Sequence, residues 1–131
     1  MSLCPCGSFL PERNCCEPII RGTAEATTAL ALMRSRYTAF TKGKVDYLFQ
    51  TYVQEWRETH PFERFKDEFQ QVNWQELEIV GVYEGGPHDD SGEVEFVAHY
   101  EFRGAKLSLH ERSLFRKEKG AWRYVGVAVA V

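Results

Sequence analysis

The chain has 131 residues, of which 44% are hydrophobic, 14% aromatic and 27% charged, with a formal net charge of -3. This length is enough for one compact core with a small appendage, and the composition is that of a soluble globular protein. The negative charge excludes a general attraction to nucleic acid, and no apolar run is long enough to cross a bilayer. We therefore expect a cytoplasmic protein with no nucleic-acid or membrane partner.

All four cysteines lie within thirteen residues near the N-terminus, as Cys4, Cys6, Cys15 and Cys16. A C-x-C pair is too tight for an easy disulfide, whereas two such pairs joined by an eight-residue loop can present four sulfurs to one ion. Zinc prefers such a tetrahedral thiolate set. The alternatives are two disulfides or four unrelated thiols. Since no signal peptide precedes the cluster, a reducing compartment and bound Zn²⁺ are favoured.

Three helices are predicted after this irregular, proline-rich segment. Apolar residues at helical spacing indicate a first helix over residues 23–41, with Thr23 as its cap. Shorter helices are predicted over residues 45–52 and 61–70. Trp56 and His60 are assigned to the connector between them, His60 as a capping or solvent-facing residue with catalysis as the alternative.

From Trp74 onwards the hydrophobic period changes to two, which indicates strands. The alternation and the glycine-containing turns predict four hairpin-linked strands, over residues 75–84, 93–103, 106–118 and 122–130. We therefore predict an α+β fold, in which helices pack on one curved antiparallel four-stranded sheet. Acidic residues before residue 102 and basic residues after it should pair across strands.

Two charged residues fall on surfaces that the patterns assign to the core. Arg36 lies on the apolar stripe of the first helix, and Glu111 shares the apolar phase of the third strand with Phe115. Because buried charges are rare unless paired, we expect an Arg36–Glu111 ion pair. The alternative is that Glu111 faces a pocket as a general base, which would favour a small-molecule function. A bulge near Glu111 would change this prediction.

The motif Cys4-Pro5-Cys6-Gly7-Ser8 followed by Cys15-Cys16 resembles the SEC-C motif, the zinc-binding knuckle named after the C-terminus of the secretion ATPase SecA. With residues 32–40 (LMRSRYTAF) and 111–113 (ERS), nearly the whole chain resembles the YchJ family. Many members of that family carry a second C-terminal SEC-C motif, and this sequence ends at Val131 without one.

The resemblance implies a SEC-C segment over residues 1–22 and a cone-like, nuclear transport factor 2-like domain over residues 23–131. Proteins of that fold hold a pocket between the concave sheet and the first helix. Here it would lie near Arg36, Tyr37 and Glu111. Some such proteins are isomerases or dehydratases and others only bind ligands, so fold alone does not fix the activity.

Two functions follow from these observations. The first is a non-enzymatic adaptor whose zinc knuckle docks on a protein, with a SecB-like or ribosome-associated partner suggested by the SecA resemblance. The alternative is a small-molecule binder or enzyme that uses the cone pocket. The sequence predicts no catalytic residue, and it favours the adaptor.

Overall fold

The computed structural model describes the backbone of residues 3–130 and the side chains of residues 3–128. Residues 1–2 of the predicted SEC-C segment and residue 131 of the predicted nuclear transport factor 2-like domain lie outside the described residues. Five helices precede four strands, after a short 3-10 turn at Glu12–Asn14. The helices are α1 (Cys16–Arg21), α2 (Ala29–Lys42), α3 (Val45–Gln50), α4 (Gln54–Thr59) and α5 (Phe62–Glu68). The strands are β1 (Asn73–Glu84), β2 (Ser91–Phe102), β3 (Ala105–Glu118) and β4 (Ala121–Ala130).

The four strands form one antiparallel sheet in the order β1-β2-β3-β4, as the hairpin pattern predicts. Its inner face carries the alternate residues Val94, Phe96 and Ala98 of β2, all buried. The β2–β3 ladder has no shift, so Glu111 pairs with Phe96 and keeps its predicted inward phase. Both irregularities in the β3–β4 ladder place the extra residue in β4. The sheet therefore presents Glu111 to the interior.

Helix α2 packs across the inner face of this sheet and begins later than predicted. Its N-cap is Thr28, whose side chain accepts a hydrogen bond from the Ala31 amide at 3.0 Å. Thr23 does not cap it, because that hydroxyl donates to the Pro18 carbonyl at the end of α1. The helix ends at Gly43, in the left-handed conformation that favours glycine (φ 65°).

Two short helices were not predicted. Cys16–Arg21 is helical where an irregular segment was expected, because Pro18 falls in the first turn, where it interrupts no helical hydrogen bond. Gln54–Thr59 is helical where a connector was expected. His60 is exposed at the end of that helix, and its ring stacks on Trp56 with centroids 4.0 Å apart.

The segment between α3 and α4 is joined to the free edge of β4. The Tyr124 amide donates to the Thr51 carbonyl at 2.7 Å, and the Val53 amide donates to the Tyr124 carbonyl at 3.0 Å. This pairing brings the Tyr52 ring to 5.1 Å from the Tyr124 ring, measured between centroids. It thereby fixes one wall of the interior between α2 and the sheet.

The outer face of the sheet is polar and carries opposite charges that pair diagonally between β2 and β3. Arg112 donates to Glu93 at 2.5 Å, and His110 contacts Glu95 at 2.7 Å. His99 is half-buried between Glu78 and Ser108. The predicted cross-strand pairing of opposite charges is confirmed for Arg112 and Glu93. Within the described residues, no helix is long and apolar enough to span a bilayer.

Candidate metal centre and ligand cavity

The four cysteines come together beside helix α2. Their sulfur atoms all lie within 4.8 Å of one another, and Cys4, Cys6 and Cys16 are buried. The loop before the 3-10 turn folds back on itself, because the Cys4 amide donates to the Leu10 carbonyl at 2.8 Å. None of the four is in a disulfide, which excludes the predicted alternative of two disulfides.

These sulfurs fit a tetrahedral metal ion. An ion with bonds of about 2.3 Å to four sulfurs requires sulfur–sulfur separations of about 3.8 Å. The Cys6–Cys15 and Cys15–Cys16 sulfur separations are 3.6 Å and 3.9 Å. Hydroxyls surround the cluster, with Ser8 Oγ 3.1 Å from the Cys15 sulfur. Such contacts orient and stabilise metal-bound thiolates.

The thiols perturb one another strongly. A hydrogen bond from the Cys16 thiol lowers the pKa of Cys6 to about 4, and the same interaction raises the pKa of Cys16. Burial raises the pKa of Cys15. One sulfur in this cluster is therefore a ready thiolate, and a cation would be needed to hold several thiolates together.

The cysteine cluster is packed into the same core as the sheet. Cys4, Cys6 and Cys16 belong to one buried cluster with Leu32 and Met33 of α2. From α2, Arg34 Nη1 donates to the Cys6 carbonyl at 2.5 Å, and Thr38 Oγ1 lies 3.6 Å from the Cys4 sulfur. These contacts stabilise the cysteine segment independently of any bound metal.

A cavity of about 220 Å³ lies between α2 and the inner face of the sheet. Its walls are mostly aromatic and aliphatic side chains, with a few polar groups. The lining residues are Met33, Arg36, Tyr37, Phe40, Tyr52, Trp74, Phe96, Ala98, Leu109, Glu111, Ser113, Phe115 and Tyr124. The three residues proposed from the sequence, Arg36, Tyr37 and Glu111, line this one cavity.

Arg36 is buried but has no carboxylate partner. Its Nη1 donates to the Leu48 carbonyl at 2.8 Å and to Thr51 Oγ1 at 2.5 Å, at the end of α3. The guanidinium carbon lies over the Tyr52 and Tyr124 rings, 4.7 Å and 4.6 Å from their centroids. Burial lowers the pKa of Arg36. No acidic oxygen of the described residues is within 4.0 Å of it.

Glu111 faces the same cavity and is bound by hydroxyl groups instead. Its Oε2 accepts from Ser113 Oγ at 2.5 Å and from the Tyr124 hydroxyl at 3.2 Å. Burial, followed by the charge of Glu111, raises the pKa of Tyr124, so this phenol remains a donor. The predicted Arg36–Glu111 ion pair is wrong, because Tyr124 contacts both groups and Arg36 is directed towards α3.

The cavity includes residues that the sequence did not single out. Tyr124 alternates with Arg123 on β4 and lies in the same phase as the buried Trp122. This alternation could have identified Tyr124 from the sequence as an inward-facing residue. Tyr52 carries no such signal, since only the pairing of residues 51–53 with β4 places it here.

Comparison with known proteins agrees with this architecture. A family model described as "YchJ, middle NTF2-like domain" matches residues 28–127. A UPF0225 protein of Geobacter sulfurreducens is 38% identical over 123 residues, covering 94% of this chain and 76% of that protein. A UPF0225 protein of Vibrio parahaemolyticus is 38% identical over 130 residues, covering 95% of this chain and 73% of that protein.

The chain belongs to the YchJ family. The solution structure of a SEC-C motif containing protein from Rhodopseudomonas palustris matches with a TM-score of 0.85 at 35% identity, covering 98% of this chain and all of that one. The crystal structure of a SEC-C motif containing protein from Psychrobacter arcticus matches with a TM-score of 0.80 at 25% identity, covering 100% of this chain and 85% of that one. The predicted YchJ resemblance and α+β fold are confirmed. In this YchJ protein, α2 contacts the cysteine segment through Arg34 and Thr38 and lines the cavity through Arg36 and Tyr37.

Proposed function

We propose that this YchJ protein binds a small molecule in the cavity between α2 and the sheet. The observation that carries the proposal is that Arg36 and Glu111, which could neutralise each other, instead form hydrogen bonds with separate groups and both line an aromatic cavity. Apolar cavities with a few convergent polar groups are the usual form of a ligand site. This favours the small-molecule function over the adaptor preferred from sequence.

The cavity also contains the elements of acid–base chemistry. Glu111 can accept a proton and the Tyr124 hydroxyl, 3.2 Å from it, can donate one. An isomerase- or dehydratase-like activity is the catalytic alternative that would use these two groups. Binding is the proposal, since it needs only the cavity and its polar groups.

A cavity-filling variant tests this proposal. We expect a fragment library screened by saturation-transfer NMR to give hits with the wild type that Ala98→Phe abolishes, because Ala98 lines the cavity. Val97→Phe is the matched control, since Val97 is adjacent on β2 and on the opposite face. Hits that persist in Ala98→Phe, or a wild type without hits, would contradict the proposal.

The metal held by the four cysteines is, in this proposal, Zn²⁺ in a structural role. All four ligands are sulfur, the sulfur separations suit a tetrahedral ion, and closed four-cysteine sites are the structural form of zinc. Metal analysis of freshly purified protein should give about one zinc per chain, and Cys6→Ser should lower this. Substoichiometric zinc with four alkylatable thiols would contradict it.

A second candidate is the adaptor function, which the surface of the cysteine segment supports. Phe9 is 80% exposed, with Leu3 and Leu10 exposed nearby, and the Leu3–Pro11 bridge holds this segment together. Exposed apolar groups of this kind occur at protein-binding sites. A SecB-like or ribosome-associated protein is the partner class proposed from the sequence.

The adaptor function requires the apolar side chains of the cysteine segment. Capture of a SecB-like or ribosome-associated protein by the full zinc-loaded chain should be lost in Phe9→Ser and retained in Leu107→Ser. Leu107→Ser is the control, because Leu107 is an exposed apolar residue on β3, outside the cysteine segment. Capture that is insensitive both to Phe9→Ser and to zinc chelation would refute this function.

A further inference from the structure

We propose that the ligand of the cavity is a small planar carboxylate that carries a hydrogen-bond donor at its far end. In this arrangement the carboxylate binds Arg36 and the donor binds Glu111. The inference rests on the proposed small-molecule function and specifies the class of ligand.

The Arg36 guanidinium is the cationic group of the cavity. The hydrogen bonds of this group to Leu48 and Thr51 both use Nη1, and no carboxylate of the described residues lies within 4.0 Å, so the N–H groups on Nε and Nη2 have no acidic acceptor there. Arg36 itself lines the cavity. A guanidinium presents paired donors that match the two oxygens of a carboxylate. Because a buried charge requires a partner, an anion from solution is the group that this site lacks.

The second polar group of the cavity favours a donor on the ligand. Glu111 Oε2 already accepts from Ser113 and Tyr124, whereas Oε1 has no recorded donor among the described residues. A hydroxyl of the ligand could bind Oε1, whereas a second carboxylate there would be repelled. The charge of Glu111 therefore orients the ligand, with its carboxylate directed towards Arg36.

The walls and the size of the cavity define the body of the ligand. Phe40, Trp74 and Phe96 contribute aromatic surface, on which a planar ring can pack. The volume of about 220 Å³ lies below the range of about 300–1,000 Å³ of sites for drug-sized ligands. A monocyclic compound is therefore the appropriate size.

Three matched probes test the class of ligand: 4-hydroxybenzoate, its neutral methyl ester and the cationic 4-(aminomethyl)phenol. By calorimetry with the full zinc-loaded protein, we expect the carboxylate to bind at least tenfold more tightly than the ester or the amine. Arg36→Met should remove this preference. The control Arg64→Met, at an exposed arginine of α5, should retain it.

A measurement on the wild type covers the case in which Arg36→Met does not fold. The Arg36 Nε–H resonance should shift on addition of 4-hydroxybenzoate and not of its ester. If the ester or the amine binds as tightly as the carboxylate or more tightly, and Ala98→Phe abolishes that binding, the carboxylate class is overturned. The cavity would still be a binding site. Absence of binding by all three probes would also overturn the carboxylate class, and the fragment screen would then decide the proposed function separately.

Discussion

At the scale of single residues, the main result concerns how the protein accommodates a buried arginine. The helical pattern places Arg36 in the core, and the structure confirms its burial at 5% exposure. Its charge is partly stabilised by carbonyl and hydroxyl oxygens at the end of α3 and by two tyrosine faces. Cation–π contacts of this kind contribute about 2 kcal/mol when desolvated. They explain why Arg36 can be buried without contact with Glu111.

Removing one of these acceptors should be costly. Thr51→Val keeps the shape of the side chain but deletes the oxygen that Arg36 Nη1 contacts at 2.5 Å. Because a charged donor would lose a buried partner, we expect the free energy of unfolding to fall by about 1.5–3 kcal/mol in urea denaturation. Thr59→Val, at an exposed threonine of α4, should change it by less than about 0.5 kcal/mol. Equal effects would show that Arg36 does not depend on Thr51.

The phenol between the two charges should also contribute measurably. Tyr124→Phe removes the donor to Glu111 Oε2 and leaves the ring over Arg36. We expect a loss of stability of about 0.5–1.5 kcal/mol. In the Glu111→Gln background, Tyr124→Phe should cost less, because the two residues are in contact. Additive effects would mean that this hydrogen bond is not formed in solution.

At the scale of elements, the strands were easier to predict than the helices. The four predicted strands match the observed ones to within two residues at each end, because alternation and glycine turns are local signals. The first long helix was predicted to begin at Thr23 and begins at Ala29, since both Thr23 and Thr28 are good capping residues. Helix α4 was missed because none of its six residues is buried and it has no apolar stripe, whereas α3, of equal length, carries the buried Leu48 and Phe49.

The same difference between local and long-range signals applies to the candidate site. Cysteine spacing is a local pattern, so the four-sulfur cluster could be predicted from sequence. The inward phase of Glu111 could also be predicted, because the β2–β3 ladder is regular. The partner of Arg36 could not, because it depends on how residues 51–53 meet the edge of β4, and no local pattern records that contact.

Helix α2 connects the two sites, which leads to a prediction about metal removal. Arg34 and Thr38 contact the cysteine segment, whereas Arg36 and Tyr37 line the cavity. Chelation should therefore increase hydrogen exchange in α2 as well as in residues 3–22, and should weaken binding of cavity ligands. Increased exchange confined to residues 3–22 would contradict the prediction.

At the scale of the whole molecule, the chain combines a cysteine cluster with a cone-like sheet in one shared core. The cluster is closed and buried, and it suits a structural ion. The cavity contains a cation that has no carboxylate partner among the described residues, an anion and aromatic walls, and it suits a ligand. The central claim is therefore that the cavity, and not the cysteine segment, is the ligand-binding site of this YchJ protein.

The most direct test is to map the binding position of a ligand. ¹⁵N-labelled, zinc-loaded protein should be titrated with the tightest hit of the fragment screen while amide chemical shifts are recorded. The account predicts that the largest changes occur at Phe96, Ala98, Glu111 and Ser113, which line the cavity on neighbouring strands. Changes concentrated at residues 3–16, with the cavity amides unmoved, would contradict it.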